Sequence, residues 1–210
     1  MFTIAVIAMI YHMFYGMQES YGNLEGALAI MANGALILQF PLAHSFLLSQ
    51  RGQKIQSLLG PKDLAISLST TSFTIVASIQ LFVLFMLWSP SKIVFEIPFE
   101  FLIYILPILY CLSWFLLIVA TIDAGLEVQS GALGWISVLA RKKPKFPELP
   151  TTGLYRVIRH PIYASFFLAV LTVPTWSADQ FVVSLILGAY CIFAPILKAV
   201  SYTHLTLPTS

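Results

Sequence analysis

The sequence predicts an all-α integral membrane protein: a bundle of about six transmembrane helices with a long cytoplasmic loop before the fifth. Three observations predict it. Of 210 residues, 59% are hydrophobic and only 10% charged, where soluble domains carry about a quarter charged residues. Several apolar runs approach the roughly 20 residues that cross a hydrocarbon core of about 30 Å. The basic residues gather in alternate connections between those runs.

The hydropathy pattern places the spans at about 2–17, 24–48, 64–88, 99–122, 161–176 and 181–197. The first is short and interrupted by His12. It begins apolar at once, with no basic n-region and no small-residue cleavage site, so it reads as a membrane helix and not a removed signal peptide. Arg51, Lys54 and Lys62 fall between spans two and three, and Arg141, Lys142, Lys143, Lys145, Arg156 and Arg159 between spans four and five. The opposite connections carry Glu19, Glu25, Glu96, Glu100 and Asp179, with Lys92 as their only base. The positive-inside rule makes the basic side cytoplasmic, and both termini with it. That rule accounts for the basic loops without a nucleic-acid partner or a specific lipid site; the partner the composition requires is the bilayer.

Other polar groups fit packing. Cys111 and Cys191 lie in apolar runs with no ligand spacing or disulfide framework. Asn33, Gln39 and Gln80 are expected to pair within the bundle, and His12 to sit in the bundle or at its interface. The four histidines show no metal spacing. No serine–histidine–acid arrangement, phosphate loop, dinucleotide fingerprint or internal repeat is visible, and the last point counts against a transporter.

The connection 123–160 is the longest stretch outside the spans, and too short to be a soluble domain. It has an amphipathic part (126–139), a basic, proline-rich part (141–150) and the segment 151–160. The run Thr152-Gly153-Leu154-Tyr155-Arg156-Val157-Ile158-Arg159-His160-Pro161-Ile162-Tyr163 stands apart. Pro161 suits the first turn of a helix, and it pushes His160 toward an extended conformation. Arg159 and His160 then sit at the mouth of span five beside free helix N–H groups, a place that attracts anions. Gly153 permits a tight turn, and Tyr155 and Tyr163 offer aromatic faces. Taken alone, arginine and tyrosine at an interface are ordinary anchors.

The order of residues in this run resembles the signature of membrane methyltransferases related to isoprenylcysteine carboxyl methyltransferase. Leu38-Gln39-Phe40-Pro41-Leu42-Ala43-His44-Ser45, Leu87-Trp88-Ser89-Pro90 and Val173-Pro174-Thr175-Trp176 are similar to the methanethiol S-methyltransferase branch, some of whose relatives are linked to denitrification. The resemblance covers about residues 20–197. It implies S-adenosylmethionine bound at the cytoplasmic side of the last two helices, with Tyr155, Arg159, His160, Pro161 and Tyr163 in the pocket and Gly153 shaping the turn. It also implies a small or lipophilic thiol, or a carboxylate, as methyl acceptor. His44 and Ser45 either meet that acceptor or hydrogen-bond a neighbouring helix. No residue is assigned a catalytic role.

The end of the chain departs from the family. Counting from Tyr190, an acidic pair is expected near positions 198 and 199, where this chain has Lys198 and Ala199. Residues 201–210 resemble translated sequencing-adaptor read-through, and His204 carries no functional weight. The expectation is one polytopic domain over 1–197 and a non-native tail over 198–210. If Lys198 and Ala199 are genuine the cofactor site is incomplete, and the competing expectation is a non-catalytic membrane accessory or assembly protein with the same fold.

Overall fold

The computed structural model describes residues 1–56, 64, 67–147 and 150–205. The helices are α1 (Phe2–Phe14), α2 (Gly26–Leu48), α3 (Gln50–Gln56), α4 (Ser69–Leu87), α5 (Glu100–Asp123), α6 (Leu126–Gln129), α7 (Ala132–Leu139), α8 (Pro161–Leu171) and α9 (Ala178–Leu205), with a 3-10 turn at Gly153–Arg156. Four of them, α2, α4, α5 and α9, are long and apolar enough to cross a membrane. The chain is an all-α, multi-pass membrane protein. The expected tail begins within α9, and its last residues, 206–210, lie outside the described residues.

Spans one and five are shorter than expected. At 1.5 Å per residue, α1 and α8 reach about 20 and 16 Å, too little to cross the core. Pro174 ends α8: it has no N–H to give the Val170 carbonyl. That carbonyl accepts instead from Ser184 Oγ at 2.6 Å and from Gln180 Nε2 at 3.4 Å. The chain then turns, and α9 begins three residues earlier than hydropathy suggests. Ser177 caps it, its hydroxyl accepting the Gln180 N–H at 3.0 Å. Ser177-Ala178-Asp179-Gln180 thus has the sequence of a capping box, and an apolar-run search does not detect one.

Helix α1 packs on α4, α5 on α8, α8 on α9, and α2 on both α4 and α9. One end of this bundle is tied by polar contacts. Asp179, buried at the start of α9, accepts from Trp88 Nε1 (2.9 Å), Gln18 Nε2 (2.9 Å), the Ser91 N–H (2.8 Å) and Ser91 Oγ (2.6 Å). These donors lie just beyond the ends of α1 and α4. Beside them, Asn33 of α2 donates to the Ser89 carbonyl at 2.8 Å and accepts the Ser89 N–H at 2.9 Å. The Tyr21 and Gly22 amides donate to the Met86 and Trp88 carbonyls, and Phe95 N–H to Trp176. Two segments noted in the sequence, 87–90 and 173–176, therefore both border this knot, Trp88 through Asp179 and Trp176 through Phe95.

The apolar core lies against this knot. Met13, Met17, Leu84, Phe85, Trp88, Tyr110, Val170, Val173, Val183 and Leu187 are nearly or fully buried. The Tyr110 hydroxyl donates to the Ile10 carbonyl at 2.8 Å, which pins α5 to α1. Asn33, Gln39, Gln80 and His12 all find partners inside the bundle: Gln39 Nε2 donates to the Gln80 carbonyl at 3.1 Å and Gln80 Nε2 to Gln39 Oε1 at 3.0 Å, and Ser20 Oγ lies 3.4 Å from His12 Nδ1. Removing the Asp179 acceptor strands the buried Trp88 indole N–H, at a cost of about 1–3 kcal/mol, and unties the part-buried Gln18 and Ser91 contacts. Asp179→Ala is expected to lower the unfolding midpoint in detergent far more than Glu96→Ala, an exposed carboxylate on the same side, and Asp179→Asn to fall between them.

Candidate functional site

At the other end the helices separate around a cavity of about 900 Å³, within the range of small-molecule and cofactor sites. Two helix faces oppose each other across it. Helix α4 contributes Ser69, Thr70, Phe73, Thr74, Ala77, Ser78 and Leu81, and α5 contributes Trp114, Leu117, Ile118, Thr121 and Ile122. Both sets follow the 3–4 residue spacing of one helical stripe. Phe2, Ala5, Val6 and Met9 of α1 close the side toward the core, and Gln53 and Gln56 of α3 lie near the basic loops. No Asp, Glu, Lys or Arg stands among the described residues that line the cavity.

Of the residues singled out in the sequence, Tyr155, His160, Tyr163 and His44 line this one cavity. His44 stands edge-on to Phe73 (ring centroids 4.9 Å) and to Tyr190 (6.3 Å), and His160 edge-on to Tyr163 (6.3 Å). Ser45 lies outside the lining, its hydroxyl 3.3 Å from that of Tyr190, so the helix-contact reading fits it. Gly153, Arg159 and Pro161 also lie outside the lining. Arg159 is exposed, while Pro161 is buried as the first residue of α8 and Gly153 starts the turn that carries Tyr155.

That turn has a fixed anchor. Gly153 adopts φ +60, the left-handed region, and a Cβ at this position would run into the Asp123 carboxylate. Asp123 Oδ2 accepts the Leu154 N–H at 2.8 Å. The end of α5 thereby holds the turn that aims Tyr155 into the cavity. Burial, then the Asp123 charge, then Tyr163 push the Tyr155 phenol above the ordinary tyrosine value of 10.0. The sequence reading passes over Asp123, although an acid in the last turn of a helix opposes the helix dipole and so signals a partner elsewhere. Tyr190 and the hydroxyl-bearing face of α4 are likewise missed, because in sequence they read as ordinary bundle polarity.

No family model matches the chain, and no solved structure does. Among curated proteins, the methanethiol S-methyltransferase of Pseudomonas deceptionensis is 25% identical over 159 residues, covering 75% of this chain and 59% of that protein. That of Pseudomonas sp. (strain GM41(2012)) is 22% identical over 164 residues, covering 78% and 62%. Methanethiol S-methyltransferase 1 of Bradyrhizobium diazoefficiens is 25% identical over 163 residues, covering 77% and 56%. The chain is a distant relative of these enzymes and spans about six tenths of their length.

The anchor generates a pH-dependent prediction. A phenol whose value is raised on folding contributes stability below its unfolded value, and that contribution is lost as pH climbs through the folded one. Tyr155 thus stays neutral at physiological pH, and the turn weakens only in alkali. Taking the wild-type minus Tyr155→Phe difference in tyrosinate absorbance isolates this residue. In an Asp123→Asn background the same difference is expected to move to lower pH while staying above the ordinary value, since burial remains.

Proposed function

We propose that this chain carries the cofactor-binding part of an S-adenosylmethionine-dependent membrane methyltransferase whose acceptor is a small or lipophilic thiol. A carboxylate acceptor fits the same cavity less well, because no cation among the described residues lines it to hold the charge. The observation that carries the reading is the convergence of Tyr155, His160, Tyr163 and His44 on one cavity with no charged side chain among the described residues that line it, in a chain distantly related to methyltransferases.

The residues present fit the cofactor. Tyr155 and Tyr163 supply aromatic faces suited to an adenine, and the same faces attract a sulfonium cation where no basic side chain opposes it. The N-terminal end of α8, with Arg159 exposed beside it, suits a carboxylate. Bound there, S-adenosylmethionine supplies a methyl group activated on a cationic sulfur. The protein's task is then alignment and exclusion of water. The apolar stripe of α5 and the end of α1 keep the deep part dry, which strips a thiolate of its hydration. His44, on the wall formed by α2, α4 and α9, is placed on the acceptor side, where it takes the thiol proton. The same reading puts the basic end of the bundle, both termini and the 123–160 loop in the cytoplasm, where a water-borne cofactor is at hand.

Membranes carrying the chain are expected to bind labelled S-adenosylmethionine and pass its methyl to a thiol. Tyr163→Ala and His160→Ala should each weaken binding by about tenfold, the loss of one stacking or hydrogen-bonding partner. His44→Ala should cut turnover more than binding. Binding that neither Tyr163→Ala nor His160→Ala changes, or none in any preparation, would sink the reading. The second outcome, with a partner protein co-purifying, would point to the accessory role.

A further inference from the structure

Helix α7 is fastened to the bundle by one face only. Thr71 Oγ1 donates to the Gly131 carbonyl at 2.6 Å and accepts the Trp135 N–H at 3.1 Å. Gly131 and Gly134 lie so close to Thr70, Thr71 and Thr74 that a Cβ at either would collide. The opposite face turns Trp135, Ile136 and Leu139 outward, with Leu139 73% exposed. The helix ends with Arg141 in the left-handed region at φ 52, where its N–H reaches Val138 (3.0 Å) and that of Lys142 reaches Ser137 (2.9 Å). This C-cap is normally glycine. Holding arginine there is costly, and it fixes a cation where the chain leaves the helix.

Lys142, Lys143 and Lys145 follow, all exposed. Residues 130–147 contain no Asp or Glu, so this surface has one sign of charge. Topology alone requires basic residues somewhere on this side; it does not require them directly after an outward apolar stripe with a tryptophan. An apolar stripe beside a cationic cluster is the pattern that seats in the headgroup layer of an anionic bilayer. The next residue, Phe146, lines the cavity, and Pro147 lies close to Gly125 beneath it.

We propose that residues 135–145 form a binding surface for anionic phospholipid headgroups, and that its occupancy holds Phe146 against the cavity so that cofactor binding rises with anionic lipid content. The first half rests on α7 and its cations alone; the second rests on the methyltransferase reading. Each cation near an anionic surface contributes roughly a fivefold gain in affinity at low salt, so the cluster should discriminate strongly.

The test places the protein in nanodiscs with equal amounts of phosphatidylglycerol and phosphatidylcholine, and counts retained lipids by native mass spectrometry. Cofactor affinity is measured in discs of each lipid alone. Wild type should retain phosphatidylglycerol preferentially, and Lys142→Gln/Lys143→Gln/Lys145→Gln should lose that preference with an unchanged unfolding midpoint. Cofactor should bind several-fold tighter in phosphatidylglycerol discs, and the triple variant should not show this gain. Equal retention of the two lipids by wild type, or a preference that survives in the triple variant, overturns the surface. A lipid preference with cofactor affinity equal in both discs overturns the coupling through Phe146. A lipid preference with no cofactor binding in either disc supports the surface and counts against the methyltransferase reading instead.

Discussion

The buried carboxylate of Asp179 is the constraint around which the bundle is arranged. Out of water such a group persists only when its lone pairs are answered, and here the answers come from two separate parts of the chain. Trp88 and Ser91 bring the end of α4, Gln18 brings the end of α1, and the capped start of α9 supplies the acid itself. Once these are joined, the apolar core has one place to form, immediately beneath them. Helices of unequal length that meet at one end cannot also close at the other. The short reach of α1 and α8 leaves space between the stripes of α4 and α5, and that space is the cavity.

A second carboxylate, Asp123, does at the opposite end what Asp179 does at the knot, on a smaller scale. It accepts a backbone N–H from the turn that carries the sequence signature, and it leaves no room for any residue but glycine at 153. The signature therefore works as a unit: a turn fixed from α5, an aromatic side chain aimed inward, and a proline that starts α8. Around it, the α4 hydroxyls and the α5 aliphatics give the cavity one moderately polar wall and one apolar wall. Such a space suits a reaction in which charge disappears, and it suits poorly one that builds charge up.

Much of this was legible in the chain itself. Four crossing helices announced themselves through length and hydropathy, and the segments 87–90 and 173–176 stood out before it was clear that both border the same knot. What hydropathy could not show was where a helix ends for local reasons. Pro174 removes one N–H and Ser177 offers one oxygen, and together they shift two helix boundaries without altering the apolar profile. Tyr155, His160 and Tyr163 were legible as a site because a glycine, a proline and aromatics came in one short run. Asp123 was not, because its partner is a backbone group 31 residues away, and sequence spacing carries no trace of such a contact. Arg159 reads as a pocket residue in sequence because it adjoins His160. In the fold the chain bends at these two residues instead of running extended, with His160 at φ −134 and ψ 66, and Arg159 is exposed outside the lining.

A bundle fastened at one end is a set of levers. Helix α4 spans about 29 Å from the knot to its far end at 1.5 Å per residue, so a tilt of about 2° at Trp88 moves Ser69 by about 1 Å. That is enough to loosen a stacked ring or to tighten it. The width of the cavity is thus geared to the set of the polar joint at the opposite end of the bundle. Substitutions far from the cavity, at Asn33 or Ser91, act on it through this gearing without touching anything it holds.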